Sequence, residues 1–82
     1  MTIRFHQHAL LRMLERGATE TEVIITIEDG EKFVAKHGRQ GFRCNFPYGS
    51  VWSGRFFATK QLELFAVDED DWLVISVIVK YF

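Results

Sequence analysis

Eighty-two residues and 9.6 kDa accommodate one domain, residues 1–82, and exclude a two-domain enzyme, since a chain this short hides only about 60% of its unfolded surface. A hydrophobic fraction of 48%, with eight Phe, two Trp and two Tyr, excludes a disordered chain. Ten Lys and Arg against eleven Asp and Glu give a net charge of -1, which on its face argues against nucleic acid or an anionic membrane as a partner.

Thr2 to Phe5 alternates polar and apolar residues and reads as a short first strand. From His6 to Arg16 the period is helical: Leu10, Met13 and Leu14 stand at i, i+3 and i+4, and Gly17 supplies the stop. Thr19 and Glu22 match the capping box, in which the Thr oxygen accepts from the N3 amide and the Glu carboxylate reaches back to the N-cap amide. A second helix is expected there, although Val23 to Ile27 is β-branched enough to suit a strand. Asp29-Gly30 ends it.

Beyond Gly30 the period changes to 2. Lys32 to His37 and Phe42 to Phe46 are predicted strands joined by the loop Gly38 to Gly41. Pro47 to Gly54 carries two turn signals and reads as an irregular loop or a short extra hairpin. Phe56 to Val67 and Trp72 to Tyr81 are the last strands, split by the turn Asp68 to Asp71. The apolar run Leu73 to Val79 is expected to be a central strand buried on both faces. The expected fold class is α+β: two N-terminal helices, after a short strand, packed on a mainly antiparallel sheet of about four strands.

A single Cys, Cys44, makes no internal disulfide, and the N-terminus has no apolar signal region. The setting expected is the reducing cytoplasm. No apolar run approaches the roughly 20 residues of a membrane-spanning helix. His6, His8, His37 and Cys44 lack the spacing of a zinc site, and the Gly-rich segments lack a phosphate or dinucleotide fingerprint, so no metal and no cofactor is expected. Cys44 shares a strand face with Phe42 and Phe46, which suits an inert core thiol.

The charges are not evenly spread. Residues 1–16 carry +2, residues 17–31 carry -5, residues 32–60 carry +6 with no acid at all, and residues 61–82 carry -4. The carboxylate-free stretch is interleaved with Phe33, Phe42, Phe46, Tyr48, Trp52, Phe56 and Phe57, a composition suited to holding phosphates and stacking bases. The competing reading is a basic face that is simply solvated, or that pairs with the acidic second helix or turn of the same molecule. His8, Arg12 and Arg16 are spaced by four and form one helical stripe, each offset by about 40° from the next. Two Arg at i and i+4 repel, with partial relief from Glu15, so the stripe suits an anion or an acidic partner, or a solvated helix face.

The run His8-Ala9, Arg12-Met13 and Arg16-Gly17, followed by Thr19, Glu22-Val23, Gly30 and a Val-rich last strand, resembles the small bacterial domain-of-unknown-function family 4258. The specific part of the resemblance is the first 30 residues. That family looks related in fold to RelE-like and BrnT-like toxins, which are ribonucleases, so the resemblance implies a RelE-like fold and a toxin-type ligand. Carried over by position, it marks His8, Arg12 and Arg16.

Metal-independent RNA cleavage needs a base for the 2'-hydroxyl proton, an acid for the leaving 5'-oxygen and cations for the phosphate charge. His8 or His37 is a candidate base or acid, Tyr81 an alternative acid, and Arg12, Arg16, Lys36, Arg39 and Arg43 are candidate phosphate ligands. The reading that follows is an RNA-binding domain with a candidate endoribonuclease site. The alternative is a non-catalytic module that binds an acidic, antitoxin-like protein. The two differ in whether the first-helix and sheet residues meet in one groove.

Overall fold

The computed structural model describes residues 2–82. In chain order the elements are β1 (Ile3–Phe5), α1 (Gln7–Arg16), α2 (Glu20–Asp29), β2 (Glu31–Val34), β3 (Gln40–Trp52), β4 (Arg55–Glu69) and β5 (Asp71–Tyr81). The fold is α+β, with both helices on one face of a mixed sheet in the order β1-β5-β4-β3-β2. The sheet has five strands rather than about four, because Ile3–Phe5 pairs in parallel with Trp72 to Val74 of β5. All other pairings are antiparallel.

Local chemistry sets both helices. His6 caps α1, its Nδ1 accepting from the His8 amide at 3.1 Å. Gly17 ends α1 at φ 79, the left-handed conformation that glycine adopts without steric cost. The capping box of α2 is complete: Thr19 Oγ1 accepts from the Glu22 amide at 3.2 Å, and Glu22 Oε1 accepts from the Thr19 amide at 2.9 Å. That N-terminal signal, with tertiary burial of Val23 and Ile27, overrides the strand propensity of the segment.

Ala9, Met13, Val23 and Ile27 pack onto Phe42, Leu62, Leu64, Ala66, Val74 and Val77, all buried. Side chains alternate along each strand, so this set assigns one sheet face to the helices, while Gly41, Arg43, Glu63 and Phe65 lie on the open face.

The acidic turn is tighter than Asp68 to Asp71, with only Asp70 outside the strands, and three larger differences from the sequence expectation stand beside it. The β2–β3 turn is Lys36 to Arg39, with His37 and Gly38 at φ 63 and 70, the positive pair that a type I′ turn requires. Gly41 is inside the strand instead, because the Phe33 ring lies over it and leaves no room for a Cβ. Pro47 to Gly54 is the outer half of the β3–β4 hairpin, closed by Ser53-Gly54 at φ 51 and 80 and offset by a bulge between Pro47 and Ser50. This projection accounts for the long axis of the molecule, 39 Å against 24 and 23 Å.

The third difference concerns β5. It is flanked by β4 and, over three residues only, by β1, so β4 is the central strand. Only Val74 and Val77 of β5 are fully covered; Leu73, Ile75, Ile78 and Val79 are half-buried. A bulge at Ile75, between the pairs Phe65–Ser76 and Ala66–Val74, interrupts its alternation. Among the described residues no helix is long and apolar enough to cross a membrane.

Candidate functional site

The pairing register places the sequence candidates in two separate regions. His8 and Arg12 are on α1, with His8 exposed and Arg12 bonded to Glu15 at 3.1 Å. Arg16 turns inward, its guanidinium donating to the Val77 carbonyl at 2.9 Å. Tyr81 donates from its hydroxyl to the Arg16 carbonyl at 2.8 Å. Arg16 and Tyr81 therefore fasten the end of α1 to β5, and the Tyr81 proton is committed to a backbone acceptor. Burial, then Tyr48, then Glu22 raise the Tyr81 pKa above its ordinary value, which further favours the neutral phenol.

An aromatic cluster surrounds this fastening. Trp52 stacks on Tyr81 at 4.8 Å and 14°, while Tyr48 and Phe57 approach the same ring at 5.1 and 5.9 Å. Trp72 packs edge-on against Phe42 at 5.3 Å. Both Trp residues thus serve packing. Cys44 is half-buried on the helix-covered face, and burial followed by the Asp29 charge raises its thiol pKa.

The basic stretch divides by face as well. Lys60 is almost fully buried, donating to the Gly17 carbonyl and to Glu22 Oε1. Arg43 lies between Glu63, at 2.9 Å, and Glu31, at 3.5 Å, and stacks over the Phe33 ring at 4.6 Å. Two of the six cations are therefore neutralised by carboxylates from flanking segments, so Arg43 is an internal ion-pair partner rather than an open phosphate ligand. Lys32 projects on the helix-covered face, 6.0 Å from the Phe42 ring. Arg55 stands at the hairpin end over Phe57 at 5.6 Å.

The remaining candidates do meet. Lys36, His37 and Arg39 line a pocket of about 390 Å³ together with Phe33, Val34, Ala35 and Phe65. Its base is a cross-strand row, Phe33–Gly41–Phe65, spanning β2, β3 and β4. Because residue 41 has no side chain, the Phe33 ring lies flat across it and meets Phe65 edge-on at 6.0 Å and 88°. The next row on the same face, Glu31–Arg43–Glu63, lies beside this one and is not part of the pocket lining. Gln40 Nε2 bonds the carbonyls of Phe33 and Gly41, at 2.9 and 3.1 Å, and ties the two strands together behind the turn. Lys36 and His37, held in the type I′ turn, are exposed at the rim.

No carboxylate lines this pocket. It combines an apolar aromatic base with Lys36, Arg39 and an imidazole, and so offers apolar contact for a planar ring and charge-assisted bonds for an anion. It opens on the sheet face away from α1, so the sheet separates it from His8, Arg12 and Arg16. The sequence groups thus do not form one groove. Phe65 went unmarked in the sequence; its signal is only that it stands opposite Gly41, a relation the register creates.

Compared with protein-family models, curated proteins and solved structures, the chain matches none.

Proposed function

We propose that this domain binds single-stranded RNA, packing a base into the pocket between Phe33 and Phe65 and seating the adjoining phosphates on Lys36 and Arg39. The observation that carries the reading is the pocket itself: an aromatic base beside Lys36, His37 and Arg39 in a chain of net charge -1. A base stacked on an aromatic side chain is worth about 1–3 kcal/mol, and each phosphate contact adds salt dependence. Binding without cleavage is the form proposed. Tyr81 holds a backbone carbonyl, and His8 on α1 is absent from the pocket that His37 lines, so the histidine and tyrosine candidates do not meet in one site.

Fluorescence polarisation of a labelled oligouridylate at low salt tests this. Binding is expected, with Phe33→Ala weakening it roughly tenfold and Lys36→Ala and Arg39→Ala each lowering the salt slope by about 1. The RNA is expected to run at full length on a gel after incubation. Absence of binding by the unaltered protein, or binding indifferent to all three substitutions, overturns the reading.

A further inference from the structure

The outer edge of β5 is open where β1 stops. β1 covers Trp72, Leu73 and Val74, and the chain then leaves the sheet, the His6 amide making its last bond to the Val74 carbonyl at 2.9 Å. The phase of the exposed stretch follows from its far end. Thr59 and Phe82 exchange both backbone bonds, at 2.7 and 3.0 Å. Alternation along an antiparallel ladder then turns the N–H and C=O of Lys80, Ile78 and Ser76 toward β4. Those of Val77, Val79 and Tyr81 turn outward. The Arg16 guanidinium meets the Val77 carbonyl on that outer side, in agreement with this phase. Outside the strand ladders, no backbone hydrogen bond among the described residues engages Val79 or Tyr81.

Other edges of this sheet are blunted in recognised ways. β2 is four residues long, and the uncovered length of β3 carries Pro47, which has no N–H, followed by the bulge. The Val77 to Tyr81 edge has neither device. It is bordered instead by cations. Arg16 reaches it directly from the helix side, Arg12 and His8 continue the same stripe back along α1, and Lys80 projects exposed on the open face. Glu15, bonded to Arg12, is the one carboxylate interleaved in that stripe.

We propose that this edge receives an extended acidic segment of a partner protein as an added strand. Main-chain bonds to Val79 and Tyr81 would hold the segment, beyond the Val77 carbonyl that Arg16 occupies, and its carboxylates, alternating between faces, would meet Arg16 and Arg12 on one side and Lys80 on the other. Charge selects this occupant over a second copy of the chain. Antiparallel pairing of two β5 edges gathers Arg16, Lys80 and their counterparts along one short seam with no acidic residue between Val77 and Tyr81, which opposes association. The proposal is independent of the RNA reading, whose pocket is formed by β2, β3 and β4 on the open face.

The test uses the full chain and a blocked peptide of alternating Glu and Val, with amide hydrogen exchange followed residue by residue by NMR. The acidic peptide is expected to slow exchange of the Val79 and Tyr81 amides at least about tenfold. A Lys-for-Glu peptide, and an acidic peptide N-methylated at alternate residues, are expected to leave both amides unprotected. Val79→Pro removes an outward N–H that the β4 ladder does not use and should abolish binding while the remaining amide pattern persists. Lys80→Glu, at an exposed position, keeps the inference testable if the proline variant fails to fold; it should weaken the acidic peptide severalfold. Equal protection by acidic and basic peptides overturns the proposal. So does no protection at all, protection by oligouridylate in place of peptide, or edge amides already protected in a self-associated protein.

Discussion

Lys60 Nζ on β4 is 2.9 Å from Glu22 Oε1 on α2, and the same carboxylate oxygen closes the capping box on the Thr19 amide. One oxygen thereby joins the start of a helix to the centre of the sheet, and Lys60 also donates to the carbonyl of Gly17 where α1 ends. Removing one partner of a buried pair leaves the other charge uncompensated. Lys60→Ala is expected to cost about 3 kcal/mol. The double variant Lys60→Met with Glu22→Gln should recover part of that loss, since neither charge is then stranded. Urea unfolding of the single and double variants provides the check, and a double variant as unstable as the sum of its parts would contradict the coupling.

Gly17 is the second point where α1 and the hairpin are locked together. Its φ of 79 disfavours any side chain, and a Cβ would lie 2.9 Å from both Trp52 Cζ3 and Tyr81 Oη. Backbone strain of about 1 kcal/mol adds to displacement of the stacked pair, so Gly17→Ala should destabilise by more than about 2 kcal/mol. Altered Trp fluorescence should accompany the change. Gly38→Ala, with open space around it at φ 70, isolates the backbone part and should cost about half as much.

Which parts of this fold were readable depends on how local their causes are. The capping box at Thr19 and Glu22 and the Gly17 stop act within one helical turn, and both appear as written in the sequence. The β2–β3 turn does not, because what keeps Gly41 inside the strand is the ring of Phe33 across the ladder. Likewise, nothing near Lys60 in sequence announces Glu22, 38 residues away, or near Arg43 announces Glu63, 20 residues away. The carboxylate-free stretch was real as a count, yet its most central cations are paired with acids from neighbouring segments. Lys36, His37 and Arg39 were marked correctly as neighbours because one turn holds them. Their separation from His8, Arg12 and Arg16 is a matter of sheet face, which a one-residue change of register would reverse.

Alkaline pH should weaken the fold through two groups. Burial raises the pKa of both Cys44 and Tyr81 above their ordinary values. A raised value means that the folded state holds the proton more tightly than the unfolded chain does. The stability involved is complete below the ordinary pKa and is lost as pH rises through the folded value. Urea midpoints are expected to be insensitive to these two groups at neutral pH and to fall above about pH 9. Tyr81→Phe should flatten the later part of that fall and, by stripping the Arg16 carbonyl of its donor, cost about 1–2 kcal/mol at neutral pH. An unchanged alkaline limb in Tyr81→Phe would remove Tyr81 from the explanation.

The face-by-face division of the cations separates stability from binding. Arg43 is held by Glu63 and Glu31 and covers Phe33, with its guanidinium one-third exposed and the Glu63 carboxylate much less so. Arg43→Ala should therefore lower stability by about 1–3 kcal/mol, chiefly by leaving Glu63 unpaired, and leave the salt slope of oligouridylate binding unchanged. Lys36→Ala and Arg39→Ala should do the reverse, holding the unfolding free energy within about 0.5 kcal/mol while reducing that slope. His8→Ala and Arg12→Ala should change neither quantity appreciably, since the Arg12–Glu15 pair is a surface contact worth about 0.2–0.5 kcal/mol. A loss of salt slope in Arg12→Ala equal to that in Arg39→Ala would place RNA on the helix face and remove the pocket from its role.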